Sequence, residues 1–249
     1  SITIPNSVII IGEEAFAYCR YLTSIAIPES ITKIGGSAFY GCGNLQEVHI
    51  TNLSAWCGID FPGYYPGNPL YNNAKLYLND ELVVDLLIPD NVVEIGPRTF
   101  YGCSSLNEIE LPDGVTSIDY EAFKDCTNLK RINIPDSVLK LGTGVFSNCS
   151  ELESIHIGSG VNTIGDNAFA WCTNLATFTV SEQNVNFAVS DGVLYRINSS
   201  TKALSSVVRY PIAKTGAYYR VPDGVGAIAV GAFSGCENLE LVSLPYSIY

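Results

Sequence analysis

Apolar positions recur along this chain in a fixed phase. The pair Ile4-Pro5 returns as Ile27-Pro28. Ile88-Pro89 is followed by Leu111-Pro112, Ile134-Pro135 and Ile157-Gly158, and Val221-Pro222 by Leu244-Pro245, each step being 23 residues. A period of that size marks stacked supersecondary units rather than a globule. Seven copies are regular and read roughly Ile-Pro-x-Ser-Val-x-x-Ile-Gly-x-x-Ala-Phe-x-x-Cys-x-x-Leu-x-x-Ile-x. Three columns follow: Phe16, Phe39, Phe100, Phe123, Phe146, Phe169 and Phe233; Leu22, Leu45, Leu106, Leu129, Leu152, Leu175 and Leu239; and Ile11, Ile34, Ile95, Ile118, Leu141, Ile164 and Ile228. One unit cannot bury its apolar face alone, whereas stacked units share an interior, so these columns are the expected core.

Within a unit, Leu22-x-x-Ile25-x-Ile27 alternates as a strand does, with Ile25 and Ile27 inward and Ser24 and Ala26 outward, and Pro28 ends the ladder. Equivalent strands of successive units run the same way, which predicts a parallel sheet with ~4.8 Å between neighbours. The stretch Ile11 to Cys19 turns back on the far side. Gly12 is expected to supply a positive φ there, and Glu13 to Tyr18 to form a short helical turn. Gly holds that station in five of seven copies, with Asp119 and Ala229 in the others. The fold class predicted is a mostly-β solenoid with a parallel sheet on one face and short helical turns and loops on the other.

Two units break the phase. Ile50 to Ile88 spans 38 residues and Val180 to Val221 spans 41, so the units at 50-88 and 180-221 exceed one period and should carry extra strands. Asp191-Gly192 reads as the turn of a hairpin in the second. Both units keep the strand-Pro ending, so residues 1-249 are expected to form a single solenoid. The chain opens inside a strand-like pattern at Ser1 and contains no Met, and it reads as a fragment of a longer protein whose other segments hold address and anchor.

The order in which Ile-Gly-x-x-Ala-Phe precedes Cys-x-x-Leu-x-x-Ile-x-Ile-Pro resembles the BspA-like, Treponema-type class of bacterial leucine-rich repeats, over nearly the whole chain. The stretches Leu53-Ser54-Ala55-Trp56-Cys57 and Asp191-Gly192-Val193-Leu194-Tyr195 are similar to variants in such proteins of host-associated bacteria. The resemblance implies a leucine-rich repeat solenoid and surface proteins that attach to host matrix proteins or to other bacteria. The Asn station of the general leucine-rich consensus is filled by Ser7, Ser30, Asn91, Gly114, Ser137, Gly160 or Gly224, so no continuous Asn ladder is expected.

Charge narrows the partners. Thirteen Lys and Arg against 25 Asp and Glu leave a formal charge of −12, which repels nucleic acid and anionic lipid surfaces. No apolar run approaches the ~18 to 20 residues of a membrane span, so no membrane insertion by this segment is expected.

Candidate chemistry is sparse. Cys19, Cys42, Cys103, Cys126, Cys149, Cys172 and Cys236 share one station and only Cys57 stands apart. Stacked parallel Cα–Cβ vectors do not give a disulfide dihedral, so free buried thiols are expected. His49 and His156 fall on outward positions some five coils, roughly 25 Å, apart, too far to share a metal. Cys57 with His49 as base lacks any orienting third group, and Gly158-Ser159-Gly160 is a turn rather than a dinucleotide loop, since Thr163 holds its third glycine position. Asp90, Asp113 and Asp136 follow strand-ending prolines, where turn capping competes with a weak calcium site. No cofactor, metal or catalytic residue is expected.

The functional expectation is a noncatalytic, adhesin-like module, extracellular or at the cell surface, that recognises a host protein, glycan or other bacterial surface through the sheet face. The alternative is a structural spacer presenting another domain. Outward Glu108, Glu110, Arg131, Asn133, Ser154 and His156 form the expected ligand-binding patch, with Arg131 free for a carboxylate. Tyr64 and Tyr65, between Gly63 and Pro66, are a rival recognition loop, while Trp56 and Phe61 are expected to plug the irregular unit.

Overall fold

A computed structural model describes residues 2–63, 65 and 67–248. The chain winds as a mostly-β parallel solenoid of about 10 turns with the predicted period. Its larger sheet lies in three blocks. The first contains Ile2–Thr3, Ser24–Ala26, Glu47–Ile50, Lys75–Leu78 and Glu81–Leu82; the second Asp85–Leu87, Glu108–Glu110, Arg131–Ile134, Ser154–Ile157 and Thr177–Val180; the third Tyr218–Arg220 and Leu241–Ser243. All pairs are parallel except Lys75–Leu78 with Glu81–Leu82, a hairpin turned by Asn79 and Asp80, both at positive φ. A narrower sheet of two-residue strands runs behind, as at Glu94–Ile95, Ser117–Ile118, Lys140–Leu141 and Thr163–Ile164.

The breaks between blocks fall in the two irregular units, which do carry extra strands. In the second, Phe187–Ser190, Val193–Ile197 and Leu204–Arg209 form an antiparallel meander, turned at Asp191-Gly192 with both residues at positive φ as that turn type requires. Tyr210, just after it, takes the place of the missing Phe. Its N–H donates to Ala232 O and its ring lies 5.6 Å from Phe233.

The columns are the core. Phe39, Phe100, Phe123, Phe146 and Phe169 are buried, and Phe100, Phe123, Phe146 and Phe169 stack with nearly parallel rings at 5.3, 5.7 and 6.1 Å. Phe16 and Phe233, near the ends, are half-buried. Four buried thiols have a polar role: Cys42, Cys126, Cys149 and Cys172 donate to the carbonyls of Phe16, Phe100, Phe123 and Phe146 in the preceding coil. All eight cysteines are free, and Cys19 and Cys236 are half-buried rather than enclosed.

The far side corrects the sequence reading. The stretch after Ile11 is a ladder of turns, not a helical turn. Alternate N–H groups close i−3 turns, as Ala17 to Glu14 O, while those between them reach the next coil, as Glu14 to Gly36 O, Phe16 to Ala38 O and Tyr18 to Tyr40 O. Among the described residues the helices are Leu53–Cys57 and the 3-10 turn Pro69–Asn72, both in the first irregular unit. Positive φ occurs two and six residues after the Gly station, at Glu14 and Tyr18, Glu121 and Asp125, and Asn167 and Trp171, whereas Gly12 and its counterparts are absent from that region. Close stacking explains the Gly station instead: a Cβ on Gly142 or Gly165 would lie 2.4 Å from backbone of the coil before.

Candidate binding surface

Strict register assembles the outward patch. Asp85, Glu108, Arg131, Ser154 and Thr177 are successive partners across the second block, and Asn133, His156 and Thr179 form a parallel row two residues on, with Glu110 opposite Leu87. Residues two apart on a strand share a face, and neighbouring strands are ~4.8 Å apart, so six of the eight expected site residues meet on one surface. Inward Ile109, Ile132, Ile155 and Phe178 anchor it from beneath.

The contacts within the patch amend one expectation. Arg131 is not free: its Nη2 donates to Glu108 Oε1, and the side chains are 67% and 47% exposed. That hydrogen bond and the charge of Glu108 push the guanidinium up. His156 Nδ1 lies 2.9 Å from Thr179 Oγ1. Leu87 at the border is 65% exposed, which gives the polar rows an apolar edge.

Tyr65 is 61% exposed and lies elsewhere, in a groove with Ile10, Lys33, Gly36 and Pro62 beside the narrower sheet. Tyr64 lies outside the described residues. Trp56 and Phe61 plug the first irregular unit as expected, buried with rings 5.6 Å apart.

A second outward cluster escaped the sequence reading. His49 stacks on Tyr77 at 4.9 Å, with Nδ1 3.1 Å from Asp80 Oδ1 and Nε2 3.4 Å from Glu47 Oε2. Tyr77 follows His49 by 28 residues because the long loop resets the phase, so a search at the regular spacing passes over it. The signal available was the Lys75 to Leu78 alternation.

Nucleophilic chemistry has no support in the thiols. Burial pushes Cys57 and Cys103 up to about 12, so neither is a thiolate near neutral pH. Among the described residues no three His, Cys, Asp or Glu side chains gather as metal ligands. At the third of the stacked aspartates, Asp136 Oδ1 accepts from the N–H of Ser159 at 2.5 Å, which holds its carboxyl below the ordinary range. It thus caps the turn of the next coil, not its own.

Comparisons with known proteins agree with this architecture. The profile of the BspA type leucine rich repeat region matches in six copies over residues 1–57 and 73–190. No curated protein matches. A leucine rich cell surface protein from Faecalibacterium prausnitzii is 29% identical with a TM-score of 0.58, over 99% of this chain and 63% of its own. A leucine-rich repeat protein from Eubacterium ventriosum, 21% identical with a TM-score of 0.59 over 99% of this chain and 54% of its own, shares the fold. The chain therefore spans less than two thirds of either protein. With the repeat profile extending over most of the sequence and the columns it implies buried in register, the chain belongs to the BspA-type leucine-rich repeat family.

Proposed function

We propose that this chain is a noncatalytic binding module, displayed at the cell surface or outside it, that recognises a protein or glycan through the open face of its second sheet block. The observation that carries the reading is the contrast along its strands. The inward row Leu86, Ile109, Ile132, Ile155 and Phe178 stays apolar and buried, while outward stations change from Asp85 and Glu108 to Arg131, Ser154 and Thr177 in perfect register. A spacer needs the first property only; a recognition surface uses both. The cell-surface description of the Faecalibacterium prausnitzii relative supports the location.

An array of host proteins and glycans probed with this chain tests the reading. Binding that falls at least several-fold in Arg131→Ala and Glu110→Ala, with unchanged thermal stability, is the expected outcome, since an exposed ion pair contributes ~1 kcal/mol or less. Parent-like binding by both, with loss in Tyr65→Ala, would move recognition to the groove at the narrower sheet. No binding at all would favour the spacer.

We also propose that the chain is one solenoid without a domain boundary. The two apolar clusters, one ending at Leu194 and the other beginning at Val193, share the strand Val193–Ile197. Limited proteolysis should leave no pair of separately stable pieces; recovering such a pair would refute the proposal.

A further inference from the structure

The second irregular unit leaves a cavity of about 80 Å³ between the turn ladder of one coil and the meander that follows. Its walls include Asp166, Asn167 and Phe169 on one side and Arg196, Arg209 and Gly231 on the other. Liquid water occupies ~30 Å³ per molecule, so the space suits two or three waters or one small ion.

Hydrogen-bond donors without acceptors gather there beside two guanidinium groups. Arg209 is 3% exposed; Nη1 donates to Gly231 O and Nη2 to Ser234 O at 2.9 Å, but Nε has no partner. Among the described residues no carboxylate pairs with this guanidinium. Its sulfur neighbours do not neutralise it, because burial pushes Cys172 up to about 12 and raises Cys236 as well. A second guanidinium, Arg196, lies 5.0 Å over the Phe187 ring with Nη2 3.3 Å from Asn162 O.

The backbone adds donors. In the preceding coils the N–H groups at these stations reach across, as Gly144 to Asp166 O and Phe146 to Ala168 O. The meander interrupts that ladder, so the N–H groups of Asn167 and Phe169 meet no acceptor among the described residues. Donors without acceptors beside an uncompensated buried cation are costly unless something negative joins them.

We propose that this cavity binds a small monovalent anion, chloride or a simple carboxylate such as formate, between the Arg209 guanidinium and the N–H groups of Asn167 and Phe169. Asp166 is the opposing charge on the wall; it is exposed and forms no ion pair among those found in the described residues.

Thermal unfolding in sodium chloride and in sodium formate, each against sodium gluconate at matched ionic strength, tests it. A saturable rise of roughly 5 °C or more at ~100 times the dissociation constant is expected for chloride, formate or both, and none for gluconate, which is too large to enter. Arg209→Gln should abolish the response. Should that variant fail to fold, Asp166→Asn should tighten apparent affinity several-fold by removing the like charge. Equal responses to all three salts, or an Asp166→Asn variant with unchanged affinity, would overturn the proposal. So would crystals grown with the responding anion that show only water beside Arg209.

Discussion

The regular coils and the two irregular units satisfy the same backbone groups by different means. In the regular run each coil's turn N–H groups find the next coil's carbonyls, and the carbonyls of Phe100, Phe123 and Phe146 each take a thiol. At the first irregular unit side chains take over. Asn72 donates to Phe39 O where a Cys would stand, Asn68 to Arg98 O and Thr99 O, and Trp56 Nε1 to Thr99 O. At the second, Asn184 serves Gly158 O and Val161 O. Buried polar side chains accordingly gather at these seams, and the interior of the regular run does without most of them. A repeat supplies backbone partners by symmetry; where symmetry lapses, individual residues must be placed by hand.

The largest test of that contrast is Phe123→Ala. Phe123 is fully buried between Phe100 and Phe146, so truncation should cost ~3 to 5 kcal/mol in denaturant unfolding, against little for exposed Tyr65→Ala. Equal losses would mean that the irregular loop, not the stack, limits stability.

A smaller effect separates two glycines of one station. Gly142→Ala forces a Cβ against the Asp119 and Tyr120 backbone and should cost ~1 to 3 kcal/mol, whereas at Gly96, which follows the irregular unit, a Cβ would meet only Thr99 Oγ1 at 3.5 Å. Gly96→Ala should therefore be nearly neutral by thermal unfolding. If both variants lose alike, crowding is not the reason for the station.

The mildest test sharpens the role of the thiols. Cys57, Cys103 and Cys172 are pushed from near 9 to about 12 in the folded chain. A thiol raised on folding ionises first in the unfolded chain, so stability should hold below pH 9 and fall as pH rises towards 12. Thiol reagents should find few groups in the native protein and all eight after denaturation without reductant. A native chain that titrates fully at pH 8 would contradict the buried ladder.

The core was legible because a stacked interior demands one side-chain type per station, and Phe100 to Phe169 show it plainly. What stayed hidden depended on phase. Tyr210 replaces a Phe outside the regular count, though it precedes Cys236 by 26 residues, the separation of Phe16 from Cys42. His49 and Tyr77 meet across a lengthened coil for the same reason. The six residues of the outward patch were legible as neighbours, since register follows from the period; the Arg131 to Glu108 pairing was not, because it depends on side-chain geometry. Gly12 and its counterparts were read as conformational when their neighbours make them steric.

The division of the larger sheet into blocks has a mechanical meaning when the chain is pulled from its ends. Tension applied along the stack loads successive coil interfaces in series. Within a block an interface such as Arg131–Ile134 with Ser154–Ile157 carries a full strand pairing plus the turn ladder, whereas Thr177–Val180 has, among the described residues, no paired strand on its far side. There the load passes through side-chain packing onto Phe187 and Leu194 and isolated bonds such as Ala213 N–H to Leu175 O. Pulled from its ends, the chain should yield first at that seam, shedding the meander as slack while the regular block and its outward rows stay assembled.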